Sequence, residues 1–565
     1  MTLIRRFSFG AALTLLVTSS SLQSQTTNSS AQSTGAPTVA PTTTGTVLAA
    51  RSMRASRASA AITIDGKLDE AAWATAPMSS DFTQSYPKVG AKPTDPTEVR
   101  VLYDDDALYV GVRMFDAHPD SIAAQLARRD ASGIYSDWVH VMVDSYRDRR
   151  TSFRFSVNPR GVQKDVLEFD DRNGEDINWD AVWQVATRID SLGWTAEYRI
   201  PFSQLRFGGA PKGVERIWGF QVMRDIARRN ERDSWSPWKT TDPGFVSFEG
   251  DLAGILDIPT PQRLEVLPYV STKLTRAPGN PADPFYKQND ASPSAGADLK
   301  YGLPGGLTLT ATVNPDFGQV EVDPAVVNLS AYETFFPEKR PFFVEGANIF
   351  NIGSINGGPG YGNQQIFYSR RIGRSPQRFA NADFVDAPDA TTILGAGKVT
   401  GKVGHWTVGL LNALTAQEDA RVVANGVEST TPVEPLTNYF AGRVRHDFRG
   451  GNTIVGIGGT AVNRNLSDDV FKNLLRSRAD VGSLDFEHRW DDRKWSLTGA
   501  FSGSEIGGSR VVMGSAQRSS ARYYQRPDAD YLEVDTAANS LGGYSAKLGL
   551  NKSGTWSMGA TAKAN

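Results

Sequence analysis

The chain has 565 residues, 60 Lys and Arg against 62 Asp and Glu, a formal charge of −2, and no cysteine. The missing cysteines exclude a disulfide framework, a Cys-based zinc site and a thiol nucleophile. The balanced charge argues against a general nucleic-acid binder, and the length calls for two or three domains.

Residues 1–25 open with Arg5 and Arg6. An apolar run from Phe7 to Val17 and a small polar stretch follow. These are the n-, h- and c-regions of a signal peptide, and the run is too short for the ~20 residues of a spanning helix. Residues 26–58 are rich in Thr, Ser, Ala and Pro and cannot bury enough apolar surface to offset chain entropy. They read as an exported linker.

The composition then splits. Eight of the twelve Trp lie between 59 and 258, whereas 36 of the 53 Gly lie after 258. The shift sets domains at 59–258 and 262–565, with the boundary near Pro259 and Pro261. In the first, short β-branched and aromatic runs at 99–103, 107–112, 138–144, 152–157, 195–200 and 217–223 are separated by turn signals such as Asp104-Asp105-Asp106. Many short strands over that length predict a β-sandwich.

The second region alternates. Phe440, Val444 and Phe448 stand between Arg443, Arg445 and Asp447, and Leu484, Phe486 and Trp490 between Asp485, Glu487 and Arg489. Similar alternation recurs around Trp495–Phe501, Tyr544–Leu550 and Trp556–Met558, with Asp491-Asp492-Arg493 as a tight turn. An apolar and a charged face on strands of about ten residues predict an antiparallel transmembrane-type β-barrel. A soluble sheet alternates similarly, but the charges suit a wet interior. The fold class expected is therefore all-β, a sandwich followed by a barrel. The barrel is expected to be incomplete at its C-terminus, because the chain ends just after a strand.

The stretch Ile64-Asp65-Gly66-Lys67-Leu68-Asp69-Glu70-Ala71-Ala72-Trp73 resembles the opening of family 9 carbohydrate-binding modules. The series 99–104, 108–110 and Asp137-Trp138-Val139-His140-Val141-Met142-Val143-Asp144 is similar to the same family. Tyr332 through Gly346 (YETFFPEKRPFFVEG) resembles the DUF5916 family of bacterial outer-membrane proteins, in which such a module precedes a barrel. The resemblance implies carbohydrate binding at the outer membrane, with carbohydrate or another envelope polymer and membrane lipid as partners. It also implies a sugar-stacking aromatic pair. The later member falls at Trp235 or Trp238 and the earlier at Tyr135, while the family's acid falls at His140 and its Arg at Ser156.

Other constellations remain. The acidic patch at 168–180 reads as a ligand or metal loop beside Trp179 and Trp183. Asp104 and Asp106 in one turn, and Asp144 and Asp148 about Tyr146, are oxygen-only groups that suit Ca²⁺ as a cofactor or, alternatively, solvated Asx turns. The five His are scattered, and no phosphate-binding loop or nucleophile elbow occurs. Three functions follow: polymer binding, with a link to carbohydrate catabolism; barrel transport or assembly with the sandwich as plug or gate; and, by analogy with xylanases that carry such modules, hydrolysis of O-glycosyl bonds. No catalytic residue is assigned.

Overall fold

The fold was analysed in a computed structural model, which describes residues 51–564 except 172–173, 178, 260–263, 277, 304, 316–334, 337, 353–365, 521 and 554–557. The signal peptide, nearly all of the linker, Tyr332, Glu333, Thr334 and Trp556 lie outside the described residues.

In the first region, alternation drives ten principal strands. They are β1 (Thr97–Tyr103), β2 (Ala107–Phe115), β3 (Trp138–Asp144), β4 (Ser152–Val157), β5 (Gln163–Phe169), β6 (Gln184–Asp190), β7 (Gly193–Pro201), β8 (Arg216–Ile226), β9 (Glu231–Ser234) and β10 (Gly250–Ile255). One sheet runs β10-β8-β3-β4-β5, flanked by Ser52–Arg54 and Gly174–Asp176, with β9 on β8. The other runs β6-β7-β2-β1. Pairing is antiparallel except where Ser52–Arg54 joins β10 and Ser56–Arg57 joins β1. Period-two alternation turns one face of each sheet toward the other. Val139, Val141, Val143, Phe153 and Phe155 of the first sheet share a core with Val99, Val101, Val110, Trp194 and Tyr198 of the second. Trp138 and His140, on the opposite parity of β3, are turned outward.

Apart from a small three-stranded sheet of Phe384–Asp386, Glu418–Ala424 and Val427–Glu434, the second region is built on one antiparallel meander. Its strands are β11 (Leu264–Thr275), β12 (Asp290–Leu303), β13 (Leu307–Val313), β14 (Ile393–Val403), β15 (Trp406–Thr415), β16 (Thr437–Phe448), β17 (Thr453–Arg464), β18 (Arg478–Trp490), β19 (Trp495–Gly507), β20 (Ser540–Lys552) and β21 (Met558–Ala564). They pair strictly in chain order, and among the described residues β11 and β21 stay at opposite ends of the path. The region expected to form a barrel is thus an eleven-stranded antiparallel sheet, with no closed barrel among the described residues.

Alternation gives this sheet two unlike faces. Val266, Val270, Trp406, Leu410, Phe440, Phe448, Ile457, Leu484, Phe501 and Leu548 are exposed on one face. Lys398, Lys402, Arg443, Asp447 and Arg489 are buried on the other. That polar face is covered in part by the helix Pro341–Val344 and the turn Ala347–Phe350. Phe342, Phe343 and Phe350 pack there against Ile393, Ala396, Leu411, Tyr439 and Ala441. Gly409 permits the approach, since a Cβ on it would stand 2.6 Å from Ile349. Glu338 holds the segment in place by taking two hydrogen bonds from Arg340, which also donates to the carbonyls of Ser369 and Ile372.

The two ends of the meander also differ. At one end β14–β15, β16–β17 and β18–β19 are joined by the tight links 404–405, 449–452 and 491–494. Positive φ at Gly404, Arg449, Gly450, Gly451, Asp491, Asp492 and Arg493 closes them. The other ends of the strands are joined by longer connections, whose described residues include 366–392, 416–436, 465–477 and 508–520. The sandwich contacts the tight-turn end. Arg150 bridges Asp170 at 3.2 Å and Glu487 at 2.8 Å, and Arg445 meets Asp170 at 3.0 Å. Asp171 receives Arg489 at 2.9 Å and Arg493 at 2.6 Å, while Lys402 lies between Asp148, at 3.0 Å, and Asp447.

Candidate carbohydrate-binding face

The outward face of β3, β4, β5 and β8 carries one aromatic platform and a ring of charges. Trp138 is half-buried and stacks on His140 with ring centroids 6.3 Å apart and planes 12° from parallel. In the strand register Trp138 stands opposite Asp225, and Asp225 opposite Arg232. Arg232 clamps Asp225 through Nε and Nη2, both at 2.6 Å. His140 Nε2 lies 3.3 Å from the same carboxylate and its Nδ1 lies 2.8 Å from Ser156 Oγ. One strand further, Arg154 bridges Glu168 at 2.9 Å and Glu175 at 3.4 Å.

Burial works against the Asp225 charge. The Arg232 and His140 hydrogen bonds outweigh it and hold the carboxyl far below the usual range. Burial lowers the His140 pKa, against the pull of Asp225. The pair is therefore an ionised acceptor beside a predominantly neutral imidazole at pH 7. An aromatic face ringed by fixed charged donors and acceptors can stack on sugar C–H groups and bind hydroxyls.

The five aromatics expected from sequence are not gathered here. Tyr135 is 62% exposed, on the loop before β3. Trp235 is fully buried, edge-on to Phe220, with its Nε1 donating to Ser79 Oγ. Trp238 packs over Met142 and Met223 beside Phe245 and donates to the Gly244 carbonyl. Trp183 stacks on Tyr198 at 5.6 Å in the inter-sheet core. Trp179 is half-buried against Phe153 and Phe155. A stacking platform needs a bare ring face, so as they stand Trp183, Trp235 and Trp238 are core side chains. Trp138, Asp225, Arg154 and Arg232 were not among the site residues expected from sequence. The readable signal was parity, because the inward Val139-Val141-Val143 series forces Trp138 and His140 out.

The expected calcium ligands do not converge, and no group of three or more His, Asp or Glu able to hold a metal occurs among the described residues. Asp104 Oδ1 accepts from the Asp106 and Ala107 amides, both at 2.8 Å, and its Oδ2 from Tyr109. That is an Asx turn with its acceptors occupied. Asp106 lies exposed in it. Asp144 accepts from the amides of Asp148 and Arg149. Burial, then the charge of Asp148, raises its pKa, so it favours a proton over a cation. Asp148 is engaged by the Arg150 and Thr151 amides and by Lys402. These donors do not fit Ca²⁺.

Residues 64–248 match the carbohydrate family 9 binding domain-like family, and residues 260–541 match the domain of unknown function DUF5916. The two matches follow one another along the chain, the family 9-like stretch first. Among solved structures, a family 9 module from Caldicellulosiruptor kristjanssonii in complex with cellotriose is 18% identical, over 37% of this chain and 96% of its own, at a TM-score of 0.26. OmpT with loop L8 deleted, an outer membrane protein of Vibrio cholerae, is 12% identical over 54% and 95%, at 0.21. The outer membrane channel DcaP of Acinetobacter baumannii is 8% identical over 76% and 88%, at 0.24. No curated protein matches the chain. Among the described residues no helix is long and apolar enough to cross a membrane, which says nothing of strands.

Proposed function

We propose that this chain binds carbohydrate or a related polymer at the bacterial outer membrane, with the CBM9-like sandwich as the binding module and the DUF5916 meander as its anchor. The observation that carries the reading is the Trp138 platform between two charged clusters on a sandwich of the family 9 type. Support for the membrane comes from the exposed apolar face of the meander, which extends over its strands from Val266 to Leu548. A contiguous apolar face of that extent needs lipid or a partner to cover it. The exported N-terminus and the domain limits near 258 and 262 belong to the same proposal.

Trp138→Ala tests it. Calorimetry of the full chain in detergent with glucose and cellotriose should show binding by the wild type. The variant should bind at least fivefold more weakly, as expected from losing one stacking face at about 1–3 kcal/mol, with an unchanged melting temperature. Trp238→Ala should instead lower the melting temperature, because it empties a core site at a cost of about 3–5 kcal/mol. Equal affinity in wild type and Trp138→Ala, or no binding at all, would remove the proposal.

A second reading, in which the sandwich plugs a transport barrel, is favoured by the ion pairs of Asp170, Asp171 and Asp148 with the tight-turn end, of which those of Asp171 and Asp148 are buried.

A further inference from the structure

A cavity of about 740 Å³ lies where the sandwich meets the first strands of the meander. It falls within the range of small-molecule sites and is separate from the Trp138 face, none of whose residues line it. Trp179 forms one wall. Its ring is fixed by Phe153 at 5.1 Å and Phe155 at 5.7 Å, leaving a half-exposed, preorganised apolar surface. The opposite wall is polar. Glu345 Oε1 is held between Arg206 Nη2 at 3.1 Å and Lys300 Nζ at 2.7 Å.

The charges of the lining balance: Arg206, Lys300 and Lys339 against Asp180, Glu265 and Glu345. A site with three cations and three carboxylates offers no net field to draw in an ion. It offers fixed charge-assisted donors and acceptors to hydroxyl groups, and a ring face to C–H groups. Glu265 and Lys300 also stand on the polar face of β11 and β12, so the cavity is continuous with that face.

We propose that this seam cavity is a second saccharide site, taking an uncharged oligosaccharide segment between the Trp179 ring and the Arg206–Glu345–Lys300 cluster. The choice of ligand class rests on the saccharide reading of the sandwich, but the site does not use the Trp138 face.

Ser203 is exposed at the cavity wall, so Ser203→Trp fills the space without entering a core. Full-length wild type, Ser203→Trp, Trp138→Ala and the double variant would be titrated with cellotriose, xylotriose and maltotriose, and with trigalacturonate as the charged control. The expected result is two neutral trisaccharides per wild-type chain, one in either single variant and none in the double variant, with trigalacturonate bound at least tenfold more weakly at the Ser203-sensitive site. Lys300→Ala, on an independent wall, should weaken that same event at least tenfold. A wild-type stoichiometry unchanged by Ser203→Trp would overturn the seam site, as would preference for trigalacturonate or no binding of the panel. Loss of binding in Ser203→Trp with none in Trp138→Ala would retain the seam site and remove the face site, so the two readings fail separately.

Discussion

At the scale of single residues, the module is notable for acids kept neutral by burial. Asp233 on β9 is fully buried. Burial first, and then the charge of Glu231, push its pKa up to about 8. Glu197 accepts from Trp73 Nε1 and from the Asp65 and Gly66 amides, yet burial still raises it to about 7. The folded chain holds these protons where an unfolded carboxyl, near 4, releases them. Their stabilisation is therefore complete below about pH 4 and is lost as pH rises through 7 to 8. Asp233→Asn should flatten this dependence. Urea midpoints between pH 5 and 8 should fall with pH less steeply than in the wild type, the Asp233 share being at most about 1.4 kcal/mol per pH unit. An unchanged slope would show that Asp233 is already ionised in the fold.

At the scale of elements, the unexpected feature is the ionic seam between the β3–β4 and β5 ends of the sandwich and the tight turns of the meander. Arg150, Asp171, Arg489 and Lys402 are each buried, so breaking a pair strands a charge rather than exposing it. Replacing Asp171 by Asn leaves Arg489 and Arg493 without their shared carboxylate, at a cost of roughly 3–5 kcal/mol. If the sandwich plugs a channel, Asp171→Asn combined with Arg150→Ala should raise the conductance of the reconstituted protein severalfold. Conductance equal to wild type, with the sandwich shown by proteolysis to have come loose, would dismiss the plug reading. Nothing in the sequence marks these partners as partners, for Arg150 and Glu487 are 337 positions apart.

At the scale of the whole molecule, the unequal ends of the meander set a direction. Outer-membrane sheets carry short turns on the periplasmic side and long loops outside. Trp406, Phe448, Trp490 and Trp495 cluster at the tight-turn end, Trp490 and Trp495 stacked at 6.0 Å, as an interfacial aromatic belt would. If the meander spans the outer membrane as proposed, the sandwich, which sits at that end, is expected in the periplasm. The chain has no cysteine, so single replacements report cleanly. Phe379→Cys, 93% exposed on the long-connection side, should react with an impermeant maleimide in intact cells. Leu126→Cys, 75% exposed on the sandwich, should react only after the outer membrane is permeabilised. The reverse pattern would place the sandwich outside.

By itself the sequence determined the all-β class, six of the ten sandwich strands and the two unlike faces of the later meander strands, because these depend on alternation along a few neighbouring residues. It also carried both family resemblances in local motifs. Only the tertiary structure decided which aromatics are available. Trp235, Trp238 and Trp183 look like Trp138 in composition, but sheet parity and the loop over Met142 and Met223 bury the first three and leave Trp138 partly open. It likewise decided that Asp104 and Asp148 spend their oxygens on turn amides, Tyr109 and Lys402. Exposure and partnership depend on contacts between residues hundreds of positions apart, which no local pattern encodes.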